Sequence, residues 1–442
     1  WAYSAHANSS VADETYETGA ANTREFPSGL PVWKASCLNC HDTHTAQGAR
    51  KLLREGVSGG NAAQEQTCYQ CHYASASTVL TGGSEGAPDI GRDFNTMTYK
   101  MPLNVATEVH DINSNFTDTT GGNAGGSLDC STKGTKCGKD LIEPRSKLGL
   151  GNLTNRHVEC TDCHNPHRVI RGPSGLPGDI SIGTNASTTK VNNGNNGLSG
   201  GHHSHIDTSS TTLHTNVISG VLRGSWGVEP SYSSASFNAD PLTTITFTVK
   251  RGDPGANSVT NCAGGNKANC DTASYVTREY QICMKCHSNY GYSDNGTYPT
   301  GNRPSTGSPG TPSTSGGGLT QYTNQAKEFQ APSGHRANTA ITSGDGGAGT
   351  GYTTNNRRSW HPVMAPTGRV GRAGAWIRPW NDSGTGGKAG RLGTQTMYCS
   401  DCHGSDTGPT TGSPRLGTAI PVGGENGAPW GPHGSSNNFL LK

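Results

Sequence analysis

Five stretches of the chain repeat the pattern Cys-x-x-Cys-His: Cys37 to His41, Cys68 to His72, Cys160 to His164, Cys283 to His287 and Cys399 to His403. Two thiols at this spacing can add across the two vinyl groups of a porphyrin, and the adjacent imidazole can then reach the iron from one side of the ring. The pattern therefore reads as covalent attachment of c-type haem. Cys37, Cys40, Cys68, Cys71, Cys160, Cys163, Cys283, Cys286, Cys399 and Cys402 are the tethers, and His41, His72, His164, His287 and His403 are the proximal ligands. Zinc ribbons and thioredoxin-like dithiols also use Cys-x-x-Cys. Neither explains a His after the second Cys in every copy, and zinc ribbons pair their Cys-x-x-Cys units whereas five is odd.

A haem held by one His either takes a sixth ligand or keeps an open position for a substrate. The chain has 17 His and only 5 Met, so two His per iron is the economical arrangement, and it implies low-potential haems. Two motifs extend to Cys-x-x-Cys-His-x-x-His: CLNCHDTH, ending at His44, and CTDCHNPH, ending at His167. A His three residues beyond a proximal one points back past its own ring and so serves a neighbouring iron. On this reasoning His44 is expected at the second haem and His167 at another. His157, three residues before Cys160, has the mirror-image placement. His361 in SWHPVM and His433 in WGPHGS stand beside Pro, whose fixed backbone presents a ligand stiffly. His6, His110, His202, His203, His205, His214 and His335 form a reserve. The HHSH cluster within that reserve, in a Gly-rich loop, reads as solvent-exposed or as a single haem ligand.

The elements that position these groups must be sparse. Only 30% of the 442 residues are hydrophobic and 64 are Gly, and the mean hydropathy is −0.64. Aliphatic side chains alone cannot organise so long a chain, whereas large, flat, apolar macrocycles can. The expected fold is mostly irregular coil with short α-helices and few β-strands, organised around five covalently bound haems as in a multihaem cytochrome. Three segments are expected within one continuous haem-wrapped unit: residues 1–125 with the first two haems, 126–290 with the third and fourth, and 291–442 with the fifth. GGNAGGS, NNGNNGLSGG and PSTGSPGTPSTSGGG are linkers by composition. Residues 272–286 read as a helix delivering the fourth motif, and residues 242–252 alternate as a strand. Residues 217–226 are a candidate partner for that strand, making a small β insert near 215–252.

CLNCHDTHTAQGARKLLREGVSGGNAAQEQTCYQCH resembles the doubled unit of multihaem c-type cytochromes. RHVECTDCHNPH, SWHPV, CSDCHG and GPHGSSNNFLL resemble segments recurring in the same group. Several of its members are extracellular cytochromes, including those that polymerise into haem-lined filaments. The resemblance covers the motifs and their flanks, about a third of the chain, and five motifs depart from the haem counts of the known filaments. It implies the five proximal ligands named above, with His44, His157, His167, His361 and His433 as distal ones. It also implies an electron-transfer protein rather than an enzyme, whose partners are other copies of itself, redox proteins at the cell surface and an extracellular acceptor. A non-polymerising secreted or surface-bound carrier is the alternative, and a multihaem oxidoreductase with an open iron is a further one.

The compartment reading agrees. With a start at Trp1, no charged-then-apolar leader and no apolar stretch of membrane-spanning length, the chain reads as an exported protein whose signal has been removed. Cys130, Cys137, Cys262 and Cys270 fall into two close pairs and are expected to form two local disulfides in an oxidising compartment. A formal charge of +2 supplies no basic patch for nucleic acid or an anionic membrane. Six Asn-x-Ser/Thr sequons begin at Asn8, Asn115, Asn152, Asn185, Asn295 and Asn381, suited to glycosylation of an exposed surface.

Overall fold

The computed structural model describes residues 4–9, 12–18, 26–44, 52–54, 67–73, 79–82, 87, 90, 117–118, 123–124, 160–169, 218, 220–232, 245–252, 273–288, 290, 325–329, 361, 363–364, 397–404 and 431–433. Regular structure among them is short and scattered. The longest helix has 5 residues and the longest strands have 6, so helix propagation contributes little and the chain is held by contacts between loops. The expected disulfide cysteines and most of the linkers lie outside the described residues.

Around the first two motifs, β1 (Thr15–Tyr16) pairs antiparallel with β2 (Leu80–Thr81). A single helical turn, α1 (Val32–Ala35), follows Pro31, whose extended backbone starts it. Tyr16, Phe26, Val32, Ala35, Val79 and Leu80 form the apolar cluster beneath. The Tyr16 hydroxyl donates to Asn39 Oδ1 at 2.6 Å, and Asn39 Nδ2 donates to the Val32 carbonyl at 3.0 Å. Asn39 lies between the two thiols of the first motif, so this chain of bonds fastens the haem-binding turn to the cluster. Ser36, at φ 55°, lies in the left-handed region and swings the chain from α1 into that turn. A short hairpin, β3 (Thr117–Asp118) with β4 (Asn123–Ala124), follows.

The largest cluster lies around the fourth motif. After α2 (Cys160–Cys163), β5 (Gly227–Tyr232) and β6 (Ile245–Lys250) form an antiparallel hairpin in which Gly227 faces Lys250 and Tyr232 faces Ile245. The expected strand over 242–252 is β6. Its partner is β5 and not residues 217–226, part of which curls into a 3-10 turn at Gly220–Leu222. Gly224, at φ 74°, then reverses the chain before the strand begins. A Cβ at Gly224 would also come within 2.5 Å of Arg168 Cβ, so glycine is needed there for space as well as for conformation.

The expected helix at the fourth motif is confined to α3 (Glu279–Cys283). The Gln281 side-chain oxygen ends it by accepting the N–H groups of Thr277 at 2.8 Å and Arg278 at 3.1 Å, which would otherwise lack helical partners. α3 packs on β5 through a buried polar lock. Glu229 accepts the Tyr280 hydroxyl at 2.8 Å and Gln281 Nε2 at 2.7 Å. Trp226, Val228, Ile245, Tyr280, Met284 and Tyr290 pack here, joined by Ala326 of α4 (Gln325–Glu328) and by Val363, Met364 and Met397. No described helix is long and apolar enough to cross a membrane.

Contacts cross both of the segment boundaries drawn from sequence. Ala5 N–H donates to the Val169 carbonyl at 2.7 Å, and the cluster around Trp226 draws in residues beyond 290.

The seat of α3 on β5 is tight enough to test. A Cβ on Gly227 would come within 2.6 Å of the Gln281 carbonyl oxygen, a backbone atom. Gly227→Ala is therefore expected to destabilise the protein by about 1–3 kcal/mol through overpacking, read as a lower denaturant midpoint at unchanged slope.

Candidate metal centres

The same local turn is built at all five motifs. The His N–H donates to the carbonyl of the first Cys at 2.8 Å (His41 to Cys37), 2.9 Å (His72 to Cys68), 2.9 Å (His164 to Cys160), 3.0 Å (His287 to Cys283) and 3.0 Å (His403 to Cys399). One such bond closes a helical turn, so residues at the first, fourth and fifth positions share a face. Both thiols and the imidazole thus face one side, the presentation that a doubly tethered porphyrin requires.

Three of these proximal rings face a second His. His41 and His167 have ring centroids 6.0 Å apart with planes at 25°. His164 and His433 are also 6.0 Å apart, at 37°. His6 and His72 are 6.1 Å apart, at 78°. Direct face-to-face contact of rings this small would be closer. With metal–imidazole bonds of about 2 Å and a ring radius of about 1 Å, two imidazoles sharing one metal have centroids about 6 Å apart. The ring pairs therefore fit a bis-imidazole iron.

Nitrogen assignment points the same way in two pairs. His164 Nδ1 is 2.8 Å from the Val221 carbonyl, and His6 Nδ1 is 3.1 Å from the Pro166 carbonyl. A carbonyl only accepts, so Nδ1 carries the hydrogen in each ring and Nε2 keeps the lone pair a metal needs. Burial, followed by the neighbouring His433, lowers the pKa of His164 to about 4. Burial lowers that of His433 to about 4 as well. His6 and His167 are lowered too, chiefly by burial. A neutral ring is the ligating form, and these surroundings favour it at neutral pH.

The distal candidates fare differently. His167 and His433 lie opposite proximal rings of other motifs, as the previous distances describe. His44 is exposed, with its N–H donated to Asp42 at 2.8 Å, and the ring facing His72 is instead His6. Sequence reasoning held His6 only in reserve because no motif or proline adjoins it. What places it is the N-terminal segment lying along the third motif's loop: Ser4 Oγ donates to the Pro166 carbonyl at 3.0 Å. His361 is exposed two residues before Val363 of the large cluster. His157, His110, His335, His202, His203, His205 and His214 lie outside the described residues.

The thiols link the motifs to one another. Burial and the nearby Cys68 push Cys40 up to about 12. Burial likewise pushes Cys163 to about 12. A hydrogen bond with Cys399 and then burial raise Cys283. Glu279, Cys283 and Cys399 bring their ligand atoms within 4.8 Å of one another. A zinc-like triad is the rival reading of that last cluster, but each thiol is the first Cys of a complete Cys-x-x-Cys-His turn and is committed to its own motif.

Comparison with known proteins agrees with this chemistry. No curated protein and no solved structure matches the chain. Residues 30–77 match the family model described as the doubled CXXCH motif, and with that match the first two motifs support a multihaem c-type cytochrome carrying covalently bound haem for electron transfer.

Proposed function

We propose that the chain is an extracellular cytochrome carrying five haem c groups, which conducts electrons along a continuous row of bis-His haems and polymerises into a filament. The haems would be tethered by the five Cys pairs, with His41, His72, His164, His287 and His403 as proximal ligands. His167 would complete the first haem, His6 the second and His433 the third. His361 and His157 are the candidates left for the fourth and fifth, while exposed His44 has no assignment. Bound haem supplies a one-electron Fe(III)/Fe(II) couple, and the polypeptide holds successive rings close.

The observation that carries this reading is the interlocking of the motifs. The first and second are bridged by Arg54, which donates to the Leu38 carbonyl and accepts from Thr67, the first and third share the His41–His167 pair, the third and fourth meet where Lys285 donates to the Asp162 carbonyl, and the fourth and fifth meet at Cys283 and Cys399. Tunnelling rates fall exponentially with distance, so such contacts suit a conductor. The implied order along the row is second, first, third, fourth, fifth, which is not the order in sequence. A second His facing the proximal ring at three of the five motifs favours a carrier over a catalyst. Export, cell-surface partners and self-assembly rest on the resemblance of the motif flanks to filament-forming cytochromes. Cryo-electron microscopy of the secreted holoprotein tests them together: filaments with an unbroken haem row are expected, and discrete particles would leave a monomeric relay.

Two spectroscopic outcomes are expected. Near-perpendicular imidazoles leave the iron d orbitals almost degenerate, so the His6–His72 site gives a highly anisotropic low-spin electron paramagnetic resonance signal, whereas the other two pairs give rhombic ones. His6→Ala is expected to remove that signal and convert one haem in five to a high-spin, cyanide-binding form, while His44→Ala leaves the spectrum unchanged.

Ligand positioning at the third haem depends on a glycine. A Cβ on Gly431 would lie 2.9 Å from His433 Cε1, so Gly431→Ala is expected to displace the ring and weaken one low-spin site without removing its ligand. The acid response has a definite sign. With His164 and His433 held at about 4 in the folded chain, against about 6.5 when unfolded, the unfolded state binds more protons between those values. Stability contributed by the neutral rings is full above about 6.5 and is lost as pH falls toward about 4. Lowering the pH from 8 to 7 is therefore expected to leave the low-spin spectrum intact, with the third site weakening as the pH falls below about 6.5.

A further inference from the structure

Among the described residues Arg54, Arg223, Lys250, Arg278 and Lys285 are buried cations, and Arg54 and Lys285 are held differently. Arg54, 2% exposed, lies beside the first two motifs and has Asp42 as a carboxylate partner at 3.5 Å. Lys285, 1% exposed, is the residue before Cys286 in the fourth motif. Its ammonium donates to the backbone carbonyl of Asp162, inside the third motif, and sits 4.3 Å from the centroid of the Trp226 ring. Both partners are uncharged. Among the described residues no carboxylate forms an ion pair with Lys285. A carbonyl and an indole face hold a cation in place without cancelling its charge, so its field extends into the surrounding low-dielectric interior.

That interior contains the third and fourth attachment sites. Lys285 belongs to the fourth motif and reaches into the third through the Asp162 carbonyl, so its charge lies between the two. The nearby acidic groups are Asp162 and Glu279. Glu279 is displaced toward the fifth motif, where it accepts Ser400 N–H at 2.8 Å and Ser400 Oγ–H at 2.7 Å. Lys285 therefore places a buried positive charge at the junction of the third and fourth motifs, with the Asp162 carboxylate inside the third motif and Glu279 turned toward the fifth.

We propose that Lys285 is a tuning residue that raises the reduction potentials of the third and fourth haems. The inference rests on the haem reading above. The step concerned is one electron from a donor, here an electrode, entering Fe(III) to give Fe(II). Reduction removes one positive charge from the site, so a fixed neighbouring cation favours the reduced form. Lys285 touches no iron and acts through its charge, which makes it a positioning and tuning group rather than a ligand.

The test is spectroelectrochemical titration of the holoprotein, comparing wild type with Lys285→Gln, Lys285→Met and Lys285→Arg. A haem count of five per chain with low-spin spectra establishes the underlying reading independently of any potential. Given that, two midpoint potentials are expected to fall in the Gln and Met variants and to return toward wild type in the Arg variant. Unchanged potentials with intact low-spin spectra would overturn the proposal, and so would an equal shift of every haem. The step displaced by Gly431→Ala identifies the third haem, and that step is expected to be one of the two that move. Its staying in place would overturn the proposal as well.

Discussion

An iron shared by two imidazoles requires two rings about 6 Å apart, and in this chain the second ring comes from far away in sequence. His6 reaches His72, His41 reaches His167, and His164 reaches His433. Each pair closes a long loop, and such closure is entropically unfavourable in proportion to the logarithm of loop length. Few apolar residues are available to offset it. In the proposed haem reading, bonds to iron would be the interactions on which the arrangement depends, and the clusters around Tyr16 and Trp226 orient the turns that offer the rings.

Polar contacts do much of that orienting. Asn39 is held between Tyr16 and the Val32 carbonyl while lying inside the first motif. Glu229 holds α3, and with it the fourth motif, onto the β5–β6 hairpin. The Pro166 carbonyl receives both Ser4 and His6, so the third motif's loop holds the ring that faces His72. Each of these groups is buried or partly buried and satisfied, which fixes direction where a sparse apolar core would leave several packings close in energy.

The chemistry of this chain is more legible in its sequence than the architecture is. The alternation in residues 242–252 marked β6, because a half-buried strand leaves a two-residue period. Its partner was misplaced by a few residues, since the left-handed turn at Gly224 and the burial of Trp226 are decided by contacts with Arg168 and α3 that carry no local pattern. His167 and His433 stood out by their setting beside a motif and a proline. His6 had neither, and Lys285 occupied a variable position of its motif.

The sequence by itself determined the attachment turns. Cys, Cys and His at fixed spacing lie on one face whenever one i to i+4 bond forms, and that bond is local. Only the tertiary structure decided which distant ring faces which proximal one, in what order the motifs meet, and where the buried charges lie among them. Those are non-local choices, made by backbone carbonyls such as those of Pro166, Val221 and Asp162 that every residue possesses and no residue type announces.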